Sequence, residues 1–384
     1  MPMPKKKTRK SPRPVLFGVA AAVCLVVSWW LWPHQKEHRV AGSKEAPRSR
    51  VSETRATNPP PATTSATQPA PSPTVRVDVN RGPDSSTTPL NAPRPTEAYP
   101  RPARGLIEIQ LALARLGLSP GSMDGASGSR TRAAVQAFQL REKLPVTGDL
   151  DSLTRSKLLL TEPAVTNYVV TSNDLARLRP LGKTWLEKSR QDRMDYESIL
   201  ELVSEFSESN PALVRLLNPG INWTNVTVNT ILVIPNVPRS APPEKAAFAQ
   251  IELEHRALEV FDRNTNLLAH FPCSIAKFAD KRPVGELHVA ILAPNPNYTF
   301  DPDNFPESAE ARRIDRKLIL QPGPNNPVGT VWIGLDRPGY GIHGTPSPDL
   351  VGRAESHGCF RLANWNAEYF LQMAWVGMPI YVEP

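Results

Sequence analysis

One short segment near the end of the chain holds the residue types that thiol catalysis needs. It contains Ile342-His343-Gly344-Thr345 and, shortly afterwards, Ser356-His357-Gly358-Cys359-Phe360-Arg361. A cysteine nucleophile needs a base to take its proton, small residues whose backbone N–H groups can face an oxyanion, and a cation for an anionic substrate. All of these occur here within twenty residues. The segment therefore predicts nucleophilic catalysis by Cys359.

Two histidines are candidates for the base. His357 is two residues from Cys359, so its reach to the sulfur depends on a tight local turn. His343 is separated by a loop and can approach from a neighbouring strand, which is how thiol–imidazole pairs are usually built. A buried structural cysteine with incidental histidines is the simpler interpretation of such residues. The combination of the cysteine with two histidines, glycines and an arginine argues against it.

This segment closely resembles the signature of the L,D-transpeptidase (YkuD-type) catalytic domain, which cross-links bacterial peptidoglycan. The resemblance implies that His343 is the general base and acid. It also implies that the backbone carbonyl of Gly344 orients the His343 ring in place of a third triad member. The remaining residues, with oxyanion-stabilising or substrate-binding roles, are Ser356, His357, Gly358, Cys359 (through its N–H) and Arg361.

The resemblance also implies a reaction. The Cys359 thiolate attacks the carbonyl between an L-centre diamino acid and the terminal D-alanine of a stem tetrapeptide. D-alanine leaves after protonation by His343, and a side-chain amine of a neighbouring stem resolves the thioester to give a cross-link. The expected partners are peptidoglycan stem peptides and glycan, with no metal or organic cofactor. Two alternatives stay open: an L,D-carboxypeptidase that trims stems by hydrolysis, and a non-catalytic wall-anchoring protein.

The resemblance extends over residues 246–384 and implies a mixed β-sandwich with a few helices. Apolar alternation independently predicts strands at 249–253 and 257–261, separated by a turn, and another at Val331–Leu335. A final strand is predicted over 377–382. Many short strands with Gly and Pro breaks indicate a β-rich domain. Cys273 lies in an apolar strand and is interpreted as a core residue.

The net charge of +8 is concentrated at the N-terminus. Residues 1–50 hold eleven Lys or Arg against two Asp or Glu, whereas the rest of the chain holds 34 against 35. The basic balance therefore indicates a topology signal, and nucleic-acid binding is not implied.

The N-terminal segment predicts export. Residues 1–14 form a basic cytoplasmic tail, and residues 15–32 are uncharged and long enough to cross a bilayer as a helix. The positive-inside rule then places the bulk of the chain in the periplasm and cell wall, anchored to the inner membrane. A cleaved signal peptide is the alternative. Residues 33–103 hold fourteen prolines, which predicts a disordered Pro/Ser/Thr linker.

Two further modules are expected between the linker and residue 246. Residues 104–161 resemble the small all-α peptidoglycan-binding domain of wall hydrolases, through Met123-Asp124-Gly125 and the helical stripe 134–139. Residues 166–237 resemble an α+β LysM module.

The LysM-like resemblance depends on two local patterns. Ile199, Leu200, Val203 and Phe206 form one predicted helical face, and Asn210-Pro211 marks the start of another helix. The segment from Leu175 to Asp195 departs from the LysM pattern. Glycan binding and a spacer role therefore both stay open for this module.

Overall fold

The computed structural model describes residues 97–238, 241–353 and 358–384, all within one compact unit of the chain. The predicted cytoplasmic tail, the predicted membrane anchor at 15–32 and most of the predicted linker lie outside these residues, as do Ser356 and His357. Within the described ranges, no helix combines the length and apolar character needed to cross a bilayer.

The first module is helical, as its pattern predicts. Its elements are β1 (Arg101–Pro102), α1 (Gly105–Arg115), α2 (Ser129–Arg141), α3 (Ser152–Lys157) and β2 (Leu159–Leu160). Val135 and Phe138 on α2 are buried in its core. The side-chain oxygen of Gln110 accepts hydrogen bonds from the N–H groups of Asp124 and Gly125. This contact shapes the turn that precedes α2.

The second module is α+β. Its elements are β3 (Val165–Val169), α4 (Ser172–Arg177), α5 (Trp185–Ser189), α6 (Ile199–Phe206), α7 (Pro211–Leu217) and β4 (Ile231–Pro235). Strands β3 and β4 pair antiparallel. The predicted helix start is confirmed, because Asn210 caps α7 and Pro211 is its first residue.

One part of the predicted helical face in this module is wrong. Ile199, Leu200 and Val203 are buried on α6, but Phe206 is 65% exposed. Phe206 is the last residue of α6, and its ring lies 5.4 Å from the half-buried ring of Tyr168 on β3 and not in the core. Leu202 and Ser204 are the other buried residues of this helix.

The third module is β-rich. Its elements are β5 (Phe248–Glu252), β6 (Ala257–Phe261), β7 (Leu267–Pro272), β8 (Gly285–Pro294), β9 (Tyr298–Phe300), β10 (Leu318–Leu320), β11 (Val331–Leu335), β12 (Gly341–His343), β13 (Phe360–Arg361), α8 (Asn364–Met373) and β14 (Pro379–Glu383). The predicted strands at 249–253, 257–261, 331–335 and 377–382 are therefore confirmed to within two residues.

Eight of these strands form one curled, mixed sheet in the order β13-β12-β11-β8-β14-β5-β6-β7. This differs from the expected sandwich of two sheets. The reason is the ten-residue strand β8, which pairs with β14 through residues 285–288 and with β11 through residues 289–294. One long strand thus joins what would otherwise be two sheets. Strands β9 and β10 form a separate two-stranded sheet.

The modules are packed against one another. The N–H of Ser119 donates to the carbonyl of His270 over 2.8 Å, and the N–H of His270 donates to the carbonyl of Gly117 over 3.1 Å. The Asn366 amide on α8 also donates to the hydroxyl of Ser119 over 3.0 Å. The helical module is therefore attached to the β-rich module by both backbone and side-chain hydrogen bonds.

Candidate active site

Strands β12 and β13 bring the predicted catalytic residues to one face of the sheet. They pair in parallel, with Ile342 opposite Phe360 and His343 opposite Arg361. Ile342 and Phe360 are fully buried in the core. Because side chains alternate between the faces of a strand, His343 and Arg361 lie on the other face. Cys359 directly precedes β13, and the positive charge of Arg361 favours its thiolate.

The imidazole of His343 is oriented by the residue that follows it. Its Nδ1 lies 2.6 Å from the carbonyl oxygen of Gly344. A carbonyl can only accept, so Nδ1 carries the proton and Nε2 is left with a lone pair. Burial lowers the pKa of His343 to about 4; the positive charge of Arg361 adds to this, while the contact with Gly344 opposes it. At neutral pH the ring is therefore an uncharged proton acceptor.

The thiol of Cys359 is half-buried and protonated at rest. Its Sγ donates to the carbonyl oxygen of Gly339 over 3.5 Å. Burial raises the pKa of Cys359, although the backbone N–H of Gly341 and the positive charge of Arg361 favour the thiolate. The thiol and the neutral imidazole of His343 are thus the resting forms, in which the imidazole is able to accept the thiol proton.

The guanidinium of Arg361 adds the positive charge of the site. Its backbone is fixed by two hydrogen bonds of 2.9 Å with Ser274. Burial lowers its pKa, while Cys359 and Tyr298 act in the opposite direction, and an arginine stays charged under such conditions. The Arg361 guanidinium therefore adds a positive charge close to the thiol. Such a charge can bind a carboxylate or a peptide carbonyl of a substrate.

Trp332 is a residue of the site that sequence reasoning missed. It lies opposite His343 in the β11–β12 pair, and the two rings are stacked with centroids 5.6 Å apart. A Cβ atom at Gly341 would come within 2.7 Å of the indole, so a glycine is needed there for Trp332 to lie over β12. Alternation along β11 predicts that Trp332 lies on the face opposite Val331. No pattern of neighbouring residues predicts that Trp332 lies opposite His343.

Asn364, at the start of α8, was also missed. It is fully buried. Its side-chain oxygen accepts from the N–H groups of Thr330 and Thr345, at 3.2 and 3.0 Å. Its amide donates to Glu205 of the second module at 2.9 Å and to the carbonyl of Pro324 at 3.1 Å. Asn364 thus fixes the loop that carries Gly344.

Other predicted site residues are placed less fully. Gly358 precedes Cys359 and is half-buried, and a Cβ atom there would make only ordinary contact, 3.8 Å from Tyr340. The oxyanion role of the Gly358 and Cys359 N–H groups stays a prediction. Ser356 and His357 lie outside the described residues. Cys273 is fully buried, and burial raises its pKa, which agrees with its interpretation as a core residue.

Two family models match this chain. Residues 247–382 match the L,D-transpeptidase catalytic domain, and residues 104–158 match a peptidoglycan binding domain. YkuD of Bacillus licheniformis, provisionally named an L,D-transpeptidase, is 27% identical over 170 residues, which are 44% of this chain and 82% of that protein. YqjB of Bacillus subtilis, named in the same way, is 32% identical over 118 residues, which are 29% of this chain and 57% of that protein.

Two solved L,D-transpeptidase structures are similar to parts of this chain. L,D-transpeptidase 3 from Mycobacterium tuberculosis is 14% identical and covers 42% of this chain and 77% of its own, with a TM-score of 0.29. An L,D-transpeptidase from Xylanimonas cellulosilytica is 17% identical and covers 75% of this chain and 100% of its own, with a TM-score of 0.30. At these TM-scores neither structure adds weight to the family matches.

Proposed function

We propose that this chain, which carries an L,D-transpeptidase catalytic domain behind a peptidoglycan-binding domain, cross-links stem peptides through a thioester on Cys359. The observation that carries the proposal is the pairing of His343 with Arg361, whose positive charge acts on the thiol of Cys359. It brings a neutral base, a thiol and a cation together, and the Gly344 carbonyl leaves Nε2 of His343 free to accept a proton.

The proposed reaction follows from these protonation states. Nε2 of His343 takes the thiol proton while Sγ of Cys359 attacks the carbonyl carbon before the terminal D-alanine. The imidazolium then returns that proton to the departing amine, and the thioester remains. The amine of a second stem attacks the thioester, His343 accepts its proton, and the thiol is regenerated with a new amide bond. Arg361 would bind a carboxylate or carbonyl of the donor stem.

One experiment separates this proposal from its nearest alternative. The purified protein is incubated with a disaccharide tetrapeptide, and the products are identified by mass. Cross-linked dimers with release of D-alanine are expected. Tripeptide monomers with the same release would identify a hydrolase that trims stems. Absence of both D-alanine release and an adduct on Cys359 would favour a wall-anchoring protein without this activity.

We also infer that the second module is LysM-like and contacts glycan. A cavity of about 600 Å³ lies between this module and α8, lined among others by Tyr168, Arg177, Glu205 and Phe206. The exposed Phe206 ring offers an apolar surface, and the charged groups offer hydrogen-bond partners, which is the usual composition of a small-ligand site. Phe206→Ala should weaken binding to isolated sacculi in a pull-down, whereas the exposed Leu216→Ala should not. Equal binding of the two variants would favour a spacer.

The N-terminal charge pattern also supports a location for the protein. We infer an inner-membrane anchor at 15–32 and a bulk that reaches the periplasm and cell wall through the 33–103 linker, on the basis of the N-terminal charge pattern. Cell fractionation should recover the full-length protein in carbonate-washed membranes. A shortened protein in the soluble periplasmic fraction would indicate a cleaved signal peptide.

A further inference from the structure

The segment of residues 175–195, called the insertion below, has an ordered structure of its own. At its base, the Arg177 guanidinium pairs with the buried carboxylate of Asp195 at 3.0 Å. In its middle, Thr184 caps α5, and the Glu187 side chain completes the capping box by accepting from the Thr184 N–H. Such reciprocal caps stabilise even a five-residue helix. These contacts therefore hold α5 in a defined position within the insertion.

Helix α5 presents Trp185 to the β-rich module. The indole is stacked on the ring of Phe300, with centroids 4.3 Å apart and planes 15° apart. It also contacts Phe305, which itself stacks on Phe300. The backbone N–H of Trp185 donates to the carboxylate of Glu310. Aromatic contacts of this kind combine buried area with a preferred geometry, so Trp185 is attached at several points to one part of the β-rich module.

That part is the segment of residues 298–320, called the Tyr298 hairpin below. Its strands β9 and β10 pair only with each other among the described strands. Phe300 and Leu320 are fully buried in a cluster that also contains Met194 of the insertion. A two-stranded hairpin is marginally stable by itself. The position of this hairpin therefore depends on the apolar side chains that the insertion supplies.

Met194 strengthens this attachment through the backbone. Its N–H donates to the carbonyl of Pro322, and its carbonyl accepts from the N–H of Asn325, both at 2.9 Å. A Cβ atom at Gly323 would come within 2.2 Å of the Met194 carbonyl oxygen, so this close approach requires glycine. The insertion and the segment that follows the hairpin thus form one packed unit.

The other end of the hairpin reaches the active site. Tyr298 is half-buried, and its ring lies 6.2 Å from that of Trp185. Strand β8 leads into this hairpin, and its Pro294 pairs with Val331, next to the Trp332 that stacks on His343. Tyr298 therefore contacts the insertion and lies four residues after a strand of the active-site sheet; burial raises the pKa of its phenol, a Cys359 thiolate adds to this and Arg361 opposes it.

We propose that the insertion is a positioning element of the active site, in which Trp185 holds the Tyr298 hairpin as a wall against which the donor stem peptide binds beside Cys359 and Arg361. This inference rests on the proposed function for the identity of the peptide. It assigns a role to the segment that departs from the LysM pattern, and it makes the second module part of the catalytic unit.

The test compares donor turnover with the reactivity of the thiol itself. Trp185→Ala should lower kcat/KM for the disaccharide tetrapeptide by about 10-fold or more, mainly through KM, because a displaced wall misplaces the peptide. Alkylation of Cys359 by iodoacetamide, which needs no peptide site, should stay within about twofold of wild type. Trp185→Phe should recover most of the loss, since it keeps an aromatic ring on Phe300. Leu216→Ala, on the exposed surface of the same module, is the matched control.

A second variant covers the case in which Trp185→Ala unfolds the module. Glu310→Ala leaves the core intact and removes only the carboxylate that accepts from the Trp185 N–H. It should raise KM by about threefold, as loss of one hydrogen bond predicts. Wild-type kcat/KM in a folded Trp185→Ala, or in Glu310→Ala where Trp185→Ala does not fold, would overturn the inference. If the wild-type protein itself forms no adduct with the tetrapeptide, the proposed function fails instead, and the two failures are thus distinct.

Discussion

The side-chain oxygen of Asn364 occupies the space that a side chain at Gly344 would need. An ideal Cβ atom on Gly344 would come 2.1 Å from this oxygen, far inside any van der Waals contact. The same oxygen accepts from the N–H of Thr345. Gly344, whose carbonyl orients His343, is thus packed against the buried amide of Asn364. The position of the His343 imidazole therefore depends on packing between α8 and the loop after β12.

Gly344→Ala tests this relationship. The methyl group must displace Asn364 or the loop, so we expect the Gly344 carbonyl to shift and the acylation rate to fall by about 10²-fold, as for a small misplacement of a catalytic group. The melting temperature should fall as well. Gly220→Ala is the control, because a Cβ atom there meets nothing within 4 Å. Wild-type acylation by Gly344→Ala would show that the loop can adapt without loss.

Cys359→Ser should abolish turnover, because a serine hydroxyl forms an anion far less readily than a thiol does. Mass spectrometry of wild-type protein treated with substrate or a carbapenem should locate the adduct on Cys359. Cys273 serves as an internal control, since it is fully buried and burial raises its pKa. An adduct on Cys273 would refute the assignment of the nucleophile.

His343→Ala and His357→Ala should separate the two candidate bases. General-base assistance is worth about 10²–10⁴-fold, so His343→Ala should nearly eliminate acylation. His357→Ala should leave measurable activity if that residue only shapes the pocket. Single-turnover acylation rates measure both. The reverse order of activities would mean that His357 is the base.

The pH dependence of acylation should reflect the buried state of His343. The base works only when unprotonated, and burial lowers its pKa to about 4. The acid limb of kcat/KM should therefore fall near pH 4, well below the ordinary histidine value of about 6.5. A pH–rate profile from pH 3 to 8 in constant ionic strength measures this limb. A midpoint near 6.5 would indicate that the imidazole is solvated in the working enzyme.

Glu205→Gln should change how stability depends on pH. Burial raises the pKa of Glu205 from its ordinary 4.5 to about 8, and the negative charges of Glu368 and Glu201 add to this. The folded state therefore binds more protons than the unfolded state between these two values, so the free energy of unfolding of the wild type falls as pH rises from about 4.5 to 8.

Glutamine keeps an oxygen that can accept from Asn364, as Glu205 does over 2.9 Å, and it has no proton to lose. Urea unfolding at pH 5 and at pH 8.5 should thus show a smaller loss of stability in Glu205→Gln than in the wild type. Glu254→Gln, at an exposed carboxylate, should behave as the wild type does. Identical pH dependence in all three proteins would contradict the raised pKa.

Features encoded by neighbouring residues were predictable from the sequence. Alternating apolar residues located β11 at Val331–Leu335, and Asn210-Pro211 located the start of α7, because strand alternation and helix capping act over a few residues. The same local character made the segment around Cys359 recognisable, since its chemistry lies within twenty residues. The sequence by itself thus determined the type of catalytic group and the order of the modules.

Relationships between distant residues were decided only by the tertiary structure. Trp332 meets His343 through strand register, and Asn364 meets Glu205 across 159 residues of sequence. Phe206 fits the helical face by periodicity, yet it is exposed, because its burial depends on what packs against the end of α6. The attachment of Trp185 to Phe300 likewise joins two modules. Such contacts depend on register and packing between separate elements, and no local pattern in the sequence encodes them.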